Sequence, residues 1–151
     1  NVLFVCLGNI CRSPMAEYIF RDMVKKRGLD GKVRCASAAV SSEEIGNPVY
    51  PPAKRKLLTL GIRCEDKRAR QLNRKDYAEY DLLIGMENRH LNSMRRLYNG
   101  DPDGKISLLL DHCGRTGQEV ADPWYTDNFD ETWDDVLQGC TALLKELRKA
   151  L

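Results

Sequence analysis

Short apolar runs alternating with helical stretches constrain this chain more than any other feature. Residues 2–5, 33–37, 81–86 and 105–110 read as strands, most of them largely apolar runs. Between them Met15, Ile19, Phe20, Met23 and Val24 fall on one helical stripe, which opens at Ser13-Pro14 and closes at Gly28. Residues 53–60 form a second helix stopped by Gly61, and residues 87–98 a third that carries Leu91, Met94 and Leu97 on one side. The last helix is the clearest, with Phe129, Trp133, Val136, Leu137, Cys140, Leu144 and Leu147 at helical spacing. Its acids lie in the first turn and its Lys and Arg in the last, as the helix dipole favours. Strands without polar alternation, separated by helices, predict an α/β fold whose parallel sheet is covered on both faces. No repeat, linker or low-complexity tract interrupts the pattern, so residues 1–151 are expected to form one domain.

Composition narrows the functional classes. The 151 residues are 42% apolar and 30% charged with a formal charge of +2, which excludes disorder and gives no general case for nucleic acid or membrane binding. No apolar stretch approaches the roughly 20 residues that cross a bilayer, and none has signal-peptide flanks. The chain opens inside a strand without a Met, which predicts that a few residues precede it. Cysteines at 6, 11, 35, 64, 113 and 140 match neither a secreted disulfide framework nor a zinc site. A reducing, cytoplasmic setting is therefore expected, with Cys35 and Cys140 in the core.

Ligands in such folds bind beyond the carboxyl ends of the strands. The turn after the first strand reads Cys6-Leu7-Gly8-Asn9-Ile10-Cys11-Arg12-Ser13. It lacks the paired glycines of a dinucleotide fingerprint and the Gly-Lys-Ser/Thr of an NTPase loop. It does have the setting of an anion cradle, a loop running into a helix N-terminus, with Gly8 and Asn9 able to adopt left-handed conformations. Cys6 enters the loop and Arg12 closes it, so a tetrahedral dianion could sit above the sulfur with the guanidinium forking two oxygens. The same donors would favour a thiolate, a nucleophile in line with phosphorus. Ser13 is expected to cap the helix, with Pro14 in its first position, and to donate its hydroxyl to the sulfur as it leaves. The bland alternative is an inert Cys6 and an Arg12 paired to a surface acid; the placement between strand and helix favours the site.

The segment from Val5 to Pro14 resembles the signature of the low-molecular-weight protein tyrosine phosphatases. The similarity continues through Ser37-Ala38-Ala39, Ala69-Arg70-Gln71-Leu72, Asp81 to Met86 and Asp122-Pro123-Trp124-Tyr125. The resemblance implies a four-stranded sheet of order 2-1-3-4 and hydrolysis of phosphotyrosine in proteins through a cysteinyl-phosphate. It implies Cys6 as nucleophile, Arg12 and residues Leu7 to Cys11 as the phosphate site, and Asp122 as general acid and then base. Neither metal nor cofactor is expected, and a monomer is. Leu7, Ile10, Trp124, Tyr125 and Glu43 occupy positions that line the substrate cleft, although ordinary core packing is an equal alternative for Leu7 and Ile10. Ile10 favours phosphotyrosine, since relatives that resemble arginine phosphatases carry Thr there. Cys11 is either a redox partner that protects Cys6 as a reversible disulfide or a small packing residue.

Several departures bear on substrate preference. Ser42-Glu43-Glu44 stands on the loop after strand two where eukaryotic relatives commonly carry an aromatic residue, Trp124 replaces the commoner Tyr, and Thr126 the frequent Gly. Lys67 stands where many members have a His that braces the phosphate loop. Thioredoxin-coupled arsenate reduction is the nearest rival, but no cysteine lies between Cys64 and Cys113 to relay electrons. A non-catalytic phosphoprotein-binding module is the rival from another class, disfavoured because both Cys6 and Asp122 are retained. Residues 54–75 carry nine basic side chains against Glu65 and Asp66, and residues 119–135 carry seven acids and no base. Solvated faces are the favoured reading; the sharper one is recruitment of acidic phosphopeptides by the basic segment.

Overall fold

The most apolar run is the one buried on both faces. The computed structural model describes residues 1–151. In chain order its elements are β1 (Val2–Cys6), α1 (Arg12–Lys26), β2 (Cys35–Ala39), α2 (Pro51–Thr59), α3 (Asp76–Glu79), β3 (Leu82–Gly85), α4 (Asn88–Leu97) and β4 (Ile106–Leu108). A 3₁₀ turn at Leu109–Cys113, α5 (Pro123–Thr126) and α6 (Phe129–Ala150) complete it. The sheet is parallel in the order β2-β1-β3-β4, as the family resemblance implied.

Alternation along β1 divides the core between the two faces. Val2, Phe4 and Cys6 face α1 and α6, where Met15, Ile19, Phe20, Val136, Cys140 and Leu144 are buried with them. Phe4 meets Phe20 edge-on, with ring centroids 5.6 Å apart. Leu3 and Val5 face the other way, onto Leu91 and Met94 of α4. Cys140 is wholly buried, whereas Cys35 is only partly so, packed at the margin of the core. Cys64, unassigned from sequence, is a core residue as well.

The structure shifts several boundaries. β2 begins at Cys35 rather than at residue 33, because the parallel register pairs Val2 with Cys35 and Cys6 with Ala39. Val33 is buried but belongs to the preceding turn, where its N–H donates to Leu29 O at 2.9 Å. β4 ends at Leu108, and Leu109 and Leu110 turn under α6 in the 3₁₀ segment. The start of α1 also differs from expectation. Cys11 is the N-cap, no side chain caps the helix, and Pro14 lies inside the first turn rather than at its first position. Ser13 cannot be the cap because it is already the second helical residue, and its hydroxyl is engaged beneath the loop.

Candidate active site

The end of β1 delivers Cys6, and the N-terminus of α1 delivers Arg12 and Ser13, so the loop between them is held at both ends. Asn9 takes the left-handed conformation the turn demands, with φ of 59°. The carbonyls of Cys6, Leu7 and Ile10 accept hydrogen bonds from the N–H groups of Val40, Ser41 and Tyr50 at 3.0, 2.9 and 2.7 Å. The carbonyl dipoles are thereby drawn outward. None of the N–H groups of residues 7–12 donates to another backbone group or a side chain, which leaves them for an anion.

Cys6 Sγ lies 3.0 Å from Ser13 Oγ. Asn9 decides which way that hydroxyl points. Its Oδ1 accepts from the Arg70 backbone N–H at 3.1 Å, which fixes the amide so that Nδ2 donates to Ser13 Oγ at 2.8 Å and to Ser37 Oγ at 2.9 Å. Because Ser13 Oγ already accepts, its own proton is available to the sulfur. Ser37 in turn donates to Glu17 Oε1 at 2.5 Å, and Lys67 Nζ reaches Ser37 O at 3.1 Å and Glu17 Oε1 at 3.2 Å. Lys67 is thus tied into the bracing beneath the loop. Burial pushes its ammonium below the ordinary lysine range, and the Glu17 carboxylate opposes that shift.

Arg12 is almost fully buried and is clamped along one edge. Its Nη1 donates to Glu87 Oε2 at 2.6 Å and to Val120 O at 2.7 Å, while Nη2 stands 3.5 Å from Asp122 Oδ2. The short bonds fix the plane of the guanidinium and leave the other side of the fork toward the cleft. Burial works against the Glu87 charge, but the hydrogen bond and charge of Arg12 outweigh it and hold that carboxyl below its usual range. Asp122 caps α5: its Oδ1 accepts from the Trp124 N–H at 3.0 Å, which leaves Oδ2 directed to the site. Burial pushes the Cys11 thiol far up, and charge on Cys6 and Asp122 adds to it.

These groups line one cleft of about 270 Å³. Cys6 and Arg12 share its inner surface with Leu7, Gly8, Ile10 and Cys11, and Asp122, Trp124, Tyr125 and Glu43 contribute to its walls. A family model described as low molecular weight phosphotyrosine protein phosphatase matches residues 1–151. The chain belongs to that family.

Among phosphatases of this family, YfkJ of Bacillus subtilis is 40% identical over 150 residues, covering 99% of this chain and 96% of YfkJ. Its crystal structure superposes with a TM-score of 0.94, covering 99% of this chain and 94% of that one. The low molecular weight phosphotyrosine protein phosphatase of Rattus norvegicus is 35% identical, covering 97% and 94% of the two chains. A structure described as Drosophila arginine phosphatase is also similar, with a TM-score of 0.85, 27% identity, and 97% and 96% coverage.

As phosphatase site residues, the sequence candidates divide in two. Leu7, Gly8, Ile10, Cys11, Glu43, Trp124 and Tyr125 lie on the cleft with Cys6, Arg12 and Asp122. Asn9 and Ser13 lie beneath it, buried, with the Ser13 hydroxyl against the sulfur and the Asn9 amide bonded to that hydroxyl. Glu44, which stands beside Glu43 in the loop after β2, lines the cleft too. Sequence reasoning missed Glu87, Glu17 and Tyr50. Glu87 and Glu17 looked like any other acids of a chain with 22; only their buried partners distinguish them.

Proposed function

We propose that this phosphatase hydrolyses phosphotyrosine in proteins by two in-line displacements at phosphorus. The observation that carries the reading is the loop from Cys6 to Arg12, with its N–H groups unspent, the sulfur below and the guanidinium beside them. In the first step Cys6 Sγ, as thiolate, forms a bond to phosphorus while the bond to the phenolic oxygen breaks. Asp122 delivers its proton to that oxygen. In the second step the Asp122 carboxylate takes a proton from water, whose oxygen attacks phosphorus as the sulfur leaves with the Ser13 hydroxyl directed at it. Phosphate is released and the thiolate restored. Arg12 and the loop amides offset charge on the equatorial oxygens in both steps, so no added metal is required.

Ile10 on the cleft wall and the aromatic rim at Trp124 and Tyr125 support an aryl leaving group. Under mild peroxide Cys6 becomes a sulfenic acid, and condensation with the Cys11 thiol releases water and leaves a reversible disulfide. The protein acts as a cytoplasmic monomer in this reading; six free thiols fit a reducing compartment.

Hydrolysis of an aryl phosphate in chelator tests the scheme. Cys6→Ser is expected to abolish turnover. Asp122→Ala is expected to lose about 10²–10⁴-fold on a poor leaving group and much less on a good one. Undiminished turnover by Cys6→Ser, or equal losses by Asp122→Ala on both leaving groups, contradicts it.

A further inference from the structure

The floor of the cleft is built for an anion, but its mouth is not. Arg12 is the one cation among the residues that line it, and it lies at the floor, 2% exposed and already facing Glu87 and Asp122. At the mouth the loop after β2 presents Glu43 and Glu44. Glu44 is engaged, accepting from Asn47 Nδ2 at 2.6 Å. Glu43 is exposed and its carboxylate enters no ion pair or hydrogen bond; only its backbone N–H is used, donating to Ser41 Oγ at 3.0 Å. That bond fastens the turn that holds Glu43 on the wall.

Trp124 and Tyr125 also line this mouth, 66% and 74% exposed. Trp124 is steadied by Tyr50, with ring centroids 5.5 Å apart at 59°. Aromatic faces attract cations, most often the guanidinium of Arg. An unpaired carboxylate and two open aromatic rings therefore favour the same charge. The basic segment of residues 54–75 does not offset them at the cleft, because none of its nine basic side chains lines it. Lys56 pairs with Asp130 at 2.8 Å, Lys67 with Glu17 and Arg70 with Asp76 at 3.1 Å.

We propose that Glu43 is a specificity-determining residue that selects phosphotyrosines flanked by Lys or Arg and disfavours those flanked by Asp or Glu. The inference rests on the phosphatase reading: with the phosphoryl group on the loop, the ring spans the cleft and the neighbouring peptide residues lie at the mouth. It runs opposite to recruitment of acidic phosphopeptides by the basic segment. A flanking cation gains both the carboxylate and the rings; a flanking carboxylate faces repulsion.

The test compares two phosphotyrosine peptides of equal length, with Arg or with Asp on both sides of the phosphotyrosine, alongside a small uncharged aryl phosphate. For the wild type, kcat/KM on the Arg peptide should exceed that on the Asp peptide by about three- to tenfold at low salt. The ratio should shrink toward one as salt shortens the screening length to about 3 Å near 1 M. Glu43→Gln should lower the ratio and Glu43→Lys should invert it. A wild-type ratio at or below one overturns the proposal, as does a ratio unchanged in both variants. Turnover of the aryl phosphate separates the failures: if the wild type does not hydrolyse it, the phosphatase reading fails, and if it does while the ratio is one, only the role of Glu43 fails.

Discussion

Arg12 is held by a half-buried acid whose neighbour is a buried histidine. His90 Nδ1 accepts from the Glu87 N–H at 3.1 Å, while its Nε2, 3.7 Å from Glu87 Oε2, has no hydrogen-bond partner. Burial, then the nearby Arg12 charge, pushes the imidazole pKa from 6.5 down to about 4. Glu87 opposes that shift and Arg89 adds to it. The folded-state pKa lies below the unfolded one, so the unfolded chain binds the proton first as pH falls. Stability should therefore be intact above about pH 6.5 and decline toward pH 4, by about 3 kcal/mol from this residue. His90→Asn can still accept from Glu87 but cannot titrate. Its urea-unfolding free energy should fall less than that of the wild type between pH 6.5 and 4; parallel curves contradict the assignment. None of this was legible in the sequence, where His90, one of the chain's two histidines, sits on an amphipathic helix. The loop itself was legible because Cys6, Arg12 and Ser13 lie within eight consecutive residues of the chain. Its bracing was not, since Asn9 draws on Ser37 and Arg70, Arg12 on Glu87 and Val120, and Glu17 on Lys67.

Among the elements, long periodic helices and apolar strands could be read from the chain, and their ends less well. Cys35–Ala39 is made of small residues with weak strand preference, so its place is set by hydrogen bonding to β1 and not by its own composition. The run from Ile106 to Leu110 is apolar except for Ser107, and periodicity cannot say where the ladder stops and the turn begins. The single turns α3 and α5 are too short for a periodic signal, although Asp122-Pro123 does mark the start of α5. Packing between α6 and the 3₁₀ turn is close enough to be sensitive to one methyl group. A Cβ at Gly139 would collide with the branch point of the buried Leu109. Helix propensity favours Ala over Gly by about 1 kcal/mol, while overpacking costs about 1–3 kcal/mol. Gly139→Ala should therefore destabilise the fold by about 1 kcal/mol in equilibrium unfolding, and a stabilised variant would show that Leu109 moves aside freely.

At the scale of the whole molecule, the sheet collects distant parts of the chain around one loop. β1 places Cys6 at the sheet's carboxyl edge, β3 leads into Glu87, and the segment before α6 brings Val120 and Asp122 to Arg12. No helix is long and apolar enough to cross a membrane. The parts serve one claim, that phosphorus passes through a covalent bond to Cys6. Rapid mixing of the Asp122→Ala variant with a good aryl phosphate, followed by acid quench and intact-mass analysis, tests it most directly. Loss of the base should let the phosphoenzyme accumulate, adding about 80 Da, the mass of one phosphoryl group, at Cys6, with a burst of phenol equal to the enzyme present. Turnover by that variant with no burst and no phosphate on Cys6 would contradict it.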